Sequence, residues 1–82
     1  MTTSLFIKMA KEDSSLERLL GALRGKGCDV MEFSARQSLD NSLFFVRVRI
    51  SGQGAGEAIE RDIAALKSIR QVERETMVMG NA

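Results

Sequence analysis

The chain has 82 residues, 44% of them hydrophobic and 28% charged, enough for one thin core in a domain of the size that often shares burial with a partner subunit. Twelve Lys and Arg against 11 Asp and Glu leave a net charge of +1, without the basic excess expected of a protein that lives on phosphate contacts. There is no histidine and one cysteine, Cys28, which excludes an internal disulfide, a Cys/His zinc site and histidine-based acid–base or thiol catalysis.

Leu5, Ile7 and Met9 alternate with Phe6 and Lys8, predicting a first strand. Polar residues 11–15 follow, and Ser14 with Glu17 has the spacing of a capping box. Leu16, Leu19, Leu20 and Leu23 then recur at helical spacing. Arg24 and Lys26 suit the negative end of the helix dipole, and Gly25 and Gly27 offer the positive φ of a helix C-terminus. A second strand begins at Cys28. Its apolar residues change parity between Val30 and Met31, with Phe33 and Ala35 keeping the new phase, so a bulge or a two-faced edge strand is expected.

Residues 39–42 carry turn chemistry. The third strand, residues 43–51, places Phe44, Val46, Val48 and Ile50 on one face and Phe45, Arg47 and Arg49 on the other. It reads as a central strand with one open face. The glycine-rich residues 52–56 read as a flexible, hinge-like connector. They lack the spacing of a phosphate loop, and Glu57 stands where a phosphate needs positive potential. Ala55, Ala58, Ile59, Ile63 and Leu66 form a second helical face, and a last strand runs from Ile69 to about Val78, with residues 80–82 frayed.

The order β-α-β-β-α-β predicts an α+β, ferredoxin-like sandwich: a four-stranded antiparallel sheet, order 4-1-3-2, with two helices on one face and strand 2 at an edge. A single domain over residues 1–82 is expected. With no signal-peptide pattern and no apolar run of membrane-spanning length, a cytoplasmic location is expected too. Cys28 opens an apolar strand, as a buried core thiol does.

On the open sheet face, residues 5–8 resemble the strand-1 motif of RNA-recognition domains and residues 43–48 partly resemble their strand-3 motif. That resemblance would let Phe6 and Phe45 stack bases beside Arg47 and Arg49. Leu43, Phe44 and Val48 depart from the pattern, and no basic residue leads it. The competing expectation is an apolar interface with a partner subunit, formed by Phe6, Phe45, Met31 and Phe33.

Residues 11–31, KEDSSLERLLGALRGKGCDVM, resemble the opening of an ACT domain, and more narrowly the short regulatory subunits of acetolactate synthase of the isozyme II type. Leu16-Glu17-Arg18, the leucines after them, Arg24 and Gly27 followed by Cys28-Asp29-Val30 carry the likeness, and Ala65, Leu66, Lys67 and Val72 extend it into the second half. An acylphosphatase-like activity on this fold needs an arginine in an anion-cradling loop after strand 1, where residues 11–13 are Lys-Glu-Asp.

The resemblance implies a non-catalytic chain that activates a catalytic large subunit by contact. Thiamine diphosphate, FAD and magnesium would belong to that subunit, and no cofactor to this chain. It further implies a homodimer through strand 2 and helix 1. A branched-chain amino acid effector would sit between the loop after strand 1 (Lys11, Asp13, Ser14, Ser15, Leu16) and the start of a neighbour's strand 2 (Asp29, Val30). Backbone N–H groups of residues 14–16 would hold its carboxylate and Asp29 its ammonium. Valine-binding relatives carry glycine where Ser14 stands and asparagine where Lys11 stands, so valine insensitivity is expected. A free-standing amino-acid sensor is a further alternative.

Overall fold

The computed structural model describes residues 2–56 and 58–75. The predicted side chain of Glu57, the end of the last strand and residues 80–82 lie outside the described residues. The elements are β1 (Thr2–Ala10), α1 (Ser15–Gly25), β2 (Asp29–Gln37), β3 (Leu43–Ser51), a 3-10 turn (Gln53–Ala55), α2 (Ala58–Ala64) and β4 (Ile69–Arg74). The strands form one antiparallel sheet, order β2-β3-β1-β4, which is the arrangement the β-α-β-β-α-β succession predicted. β1 and β3 pair along their whole lengths, from Thr2 opposite Ser51 to Ala10 opposite Leu43.

Alternation decides the faces. Leu5, Ile7 and Met9 of β1 and Val46, Val48 and Ile50 of β3 are buried, and with Leu19, Leu23, Ile59 and Ile63 they make the core under the two helices. Phe6 and Phe45 fall on the other face and stay 43% and 42% exposed. The parity change in β2 is a bulge: Val30 opposes Ile50 and Glu32 opposes Arg49, leaving Met31 as the extra residue. β2 is an edge strand as expected, but the bulge puts Val30, Phe33 and Ala35 on one face, so the bulge and not a two-faced strand explains the parity change.

Two local expectations are corrected. The capping box does not form. Ser14 sits in the left-handed region (φ 60°, ψ 18°) and its side chain makes no capping hydrogen bond. The reversal is closed by the backbone instead, with Ser15 N–H donating to the Glu12 carbonyl at 3.1 Å and Arg18 N–H to the Ser14 carbonyl at 2.9 Å. The other end of α1 follows the glycine expectation at Gly27 alone (φ 84°). Gly27 N–H reaches the Arg24 carbonyl at 3.0 Å and Cys28 N–H the Leu23 carbonyl at 3.1 Å, the two bonds of a Schellman ending.

The second correction concerns the supposed hinge. Residues 53–55 form the 3-10 turn, Ala55 is fully buried, and its carbonyl accepts the buried Thr3 hydroxyl at 2.8 Å. Gly54 lies against the turn after α1: a Cβ there would meet the Lys26 carbonyl oxygen at 2.0 Å. The glycines serve close backbone packing, and the segment is a buttress.

Candidate functional site

The loop between β1 and α1 is the first candidate. Lys11, Asp13, Ser14, Ser15 and Leu16, with Glu12, Glu17, Asn41 and Phe44, line a polar cleft of about 360 Å³ facing the β2–β3 hairpin. Lys11 is anchored at the rim, its N–H donating to the Ser42 carbonyl at 3.0 Å and its Nζ to Gln37 Oε1 at 3.3 Å. Its ammonium also lies 6.0 Å from the Phe44 ring centroid. Asp13 and Ser14 are exposed, whereas Ser15 is buried and Leu16 packs against the core. The expected cradle of free N–H groups is reduced, because the Ser15 N–H is already spent on Glu12.

Asp29 and Val30 do not join this cleft within one chain. Asp29 opposes Ser51, which opposes Thr2, whereas the loop leaves from Ala10 at the other end of β1. Nine residues of strand separate the two, roughly 27 Å at about 3.3 Å per residue. Asp29 and Val30 instead line a second concavity with Arg24, Gly27 and Cys28. A site using both halves therefore takes them from two copies. The Cys28 thiol is buried, and burial, with the neighbouring Asp29 carboxylate as a lesser cause, pushes it above the ordinary thiol range.

The four proposed interface residues fall into three settings. Phe6 and Phe45 share the open sheet face, with Lys8 opposite Phe45 and Arg47 opposite Phe6. Met31 stands 57% exposed on the edge bulge. Phe33 pairs with Val48 on the helix side of the sheet and packs against the core, so it does not extend the Phe6–Phe45 patch.

The open face mixes charges: Lys8 and Arg36 stand beside Phe45 with no ion pair among the described residues, and Glu32 and Glu73 share the face. Arg47 lies 5.2 Å from the Phe6 ring centroid and grips both oxygens of Glu75, at 2.5 and 3.2 Å. Arg49 lies 3.7 Å from Glu32. Arg47 is thus held by a carboxylate, whereas Arg49 keeps only a long, solvent-exposed pair, so the electrostatic support for RNA stacking is reduced.

One feature had no signal in the sequence. Met9, Leu19, Leu66 and Ile69 floor a further cleft of about 550 Å³ between the start of α1 and the α2–β4 turn, rimmed by Glu12, Asp13, Arg18 and Lys67. Ser68 and Glu12, 56 residues apart in the chain, meet there at 2.7 Å. Among the described residues no group of His, Cys, Asp and Glu is placed to hold a metal ion, and no helix is long and apolar enough to cross a membrane.

The architecture is a ferredoxin-like βαββαβ sandwich. No protein-family model matches the sequence, and a search of curated proteins finds no match. Similar solved structures include the formyltetrahydrofolate deformylase of Burkholderia mallei, with a TM-score of 0.70 and 19% identity over 93% of this chain and 28% of that one. The formyltetrahydrofolate deformylase of Pseudomonas putida is similar too, with a TM-score of 0.70 and 17% identity over 94% of this chain and 29% of that one. The chain thus spans under a third of either enzyme's length, and identities this low speak to the fold.

Proposed function

We propose that the chain is an ACT-type regulatory module that acts on a catalytic partner by direct contact, and that the partner is the large subunit of an acetolactate synthase. The observation that carries this reading is the resemblance of residues 11–31 to short acetolactate synthase regulatory subunits. In the fold these residues are the loop after β1, all of α1 and the start of the β2 edge. The absence of histidine and the burial of Cys28 are in keeping with a binding role. The two-ended distribution of Lys11–Leu16 and Asp29–Val30 favours a homodimer in which β2 and α1 meet their counterparts. The exposed β2 edge, with Met31 on its bulge, supplies unpaired backbone for that meeting. Phe6 and Phe45 offer a second, separate contact face.

Ser14 in place of glycine narrows the loop cleft, and the spent Ser15 N–H removes one carboxylate donor. Both support a subunit that sustains its partner's turnover without responding to valine. The test is addition of the purified chain to the large subunit carrying its thiamine diphosphate, FAD and magnesium. Co-elution and a rise in turnover that valine does not reverse are expected. Unchanged turnover with no co-elution would remove acetolactate synthase as the partner.

A further inference from the structure

The cleft between α1 and the α2–β4 turn has no lining residue on β2, and it shares Glu12, Asp13 and Ser15 with the loop cleft beside the hairpin. At about 550 Å³ it lies within the roughly 300–1,000 Å³ range of small-ligand sites, with the usual division into apolar floor and few polar groups. Its floor draws on three places in the chain: Met9 of β1, Leu19 of α1, and Leu66 and Ile69 at the α2–β4 turn.

The mouth already holds a carboxylate, the protein's own. Ser68, 7% exposed, donates its hydroxyl to Glu12 Oε1 at 2.7 Å, and Arg18 Nη2 approaches the same oxygen at 3.4 Å. Lys67 stands on the same rim with no ion-pair partner among the described residues. Ser15, 1% exposed and also lining the cleft, accepts the Glu12 N–H at 3.4 Å, and its own hydrogen goes to no acceptor among the described residues. The rim sets Arg18 and Lys67 against Glu12 and Asp13; with Glu12 held by Ser68 and Arg18, Lys67 is the cation left to meet a ligand, above an aliphatic floor and beside the buried Ser15 hydroxyl.

We propose that this cleft binds a short aliphatic monocarboxylate, its carboxylate taken by Lys67 and Arg18 and its hydrocarbon laid on Met9, Leu19, Leu66 and Ile69. Glu12 is then a resident competitor: its carboxylate occupies part of the seat, and the ligand draws Arg18 from it. Nothing in this site depends on the identity of the catalytic partner, so the two readings fail separately.

The test titrates the full chain with butanoate, hexanoate, octanoate and 4-methylpentanoate by calorimetry and amide NMR, with hexylammonium and leucine as contrasts. One carboxylate per chain is expected, with shifts concentrated at Leu19, Leu66 and Ile69. Affinity should rise about fourfold per added methylene until the floor is covered, the equivalent of about 0.8 kcal/mol per buried CH₂. Lys67→Ala and Arg18→Ala, both at exposed positions, should weaken hexanoate about tenfold each without disturbing the fold. Glu12→Gln should tighten it. Hexylammonium binding as well as hexanoate, or leucine binding more tightly than 4-methylpentanoate, would overturn the proposed ligand class. Absence of localised shifts in both the parent chain and Glu12→Gln would overturn the site.

Discussion

Gly54→Ala is predicted to be the most damaging single-methyl addition in the connector between β3 and α2. The new Cβ would stand 2.0 Å from the Lys26 carbonyl oxygen, 2.8 Å from its carbon and 2.9 Å from the Gly27 carbon. All three obstacles are backbone, so no side chain can swing aside. The 3-10 turn must retreat by more than an ångström. That strains the bond from Gly54 N–H to the Gly27 carbonyl (3.3 Å) and the buried Thr3–Ala55 bond (2.8 Å).

Overpacking of this kind costs about 1–3 kcal/mol, and two compromised hydrogen bonds add about 1 kcal/mol each, for a total of about 3–5 kcal/mol. A chain of this length has roughly 4–12 kcal/mol to lose, at about 0.05–0.15 kcal/mol per residue. The melting temperature should fall by roughly 12–40 °C, at about 4–8 °C per kcal/mol for a small domain. Gly21→Ala is the matched control: nothing lies within 4 Å of its Cβ, it is inside α1, and it should stabilise by about 0.5–1 kcal/mol. Urea unfolding of the two variants checks both signs. A Gly54→Ala chain within 0.5 kcal/mol of the parent, on the scale of ordinary surface changes, would refute the buttress and restore the hinge.

Ser14→Gly should stabilise by roughly 0.5–1 kcal/mol, because relief of the left-handed conformation outweighs the added freedom of the unfolded chain; a lower melting temperature would contradict the loop geometry. The Asp40 carboxyl is lowered to about 2 from 3.8, first by the Ser42 hydroxyl and then by Ser38 and the Ser42 N–H. Its support for the β2–β3 turn is therefore complete above about pH 4 and lost as pH falls through about 2. The Ser42 amide should report that transition near pH 2 and lose it in Asp40→Asn, while a midpoint near 3.8 would mean the hydrogen bonds are absent in solution. Cys28 should resist alkylation at neutral pH in the folded chain and react promptly in urea, since its thiol is buried and its ionisation displaced upward; equal rates in both conditions would place it at the surface.

The sheet was legible because β1 and β3 carry an unbroken two-residue rhythm and α1 a 3.6-residue one, and its order followed from the β-α-β-β-α-β succession; β4, with Ile69 and Val72 three residues apart, has no such rhythm. Even the bulge announced itself, since an extra residue at Met31 shifts the parity of everything after it. The α1 start was not legible. Ser14 and Glu17 spell a capping box, yet one dihedral at Ser14 decides whether the side chain can reach back, and composition does not report dihedrals. The glycine run showed conformational freedom, but Gly54 is fixed by a neighbour 28 residues earlier in the chain. The α1–α2 cleft was invisible for the same reason: Ser68 and Lys67 look like ordinary turn residues until folding brings them to Glu12 and Arg18.

The loop after β1 is the element on which both clefts turn. Glu12, Asp13 and Ser15 line the polar cleft beside the hairpin and the apolar-floored cleft beside α2, so the loop is a wall shared by two sites. A carboxylate that draws Arg18 away frees Glu12 from one of its two side-chain holds, leaving Ser68 alone. Whatever affinity the loop cleft then gains or loses must appear, by the same factor, in the affinity of the α2 cleft, because linkage between two binding sites is reciprocal. The left-handed turn at Ser14 sets how far the shared wall can move. Ser14→Gly should therefore change ligand uptake on the α2 side as well as the stability of the loop, although Ser14 itself lines only the hairpin-side cleft of the two. Hexanoate titration of that variant, alongside its melting curve, separates the two effects: unchanged affinity in a stabilised chain would mean that the wall is rigid and the clefts are independent.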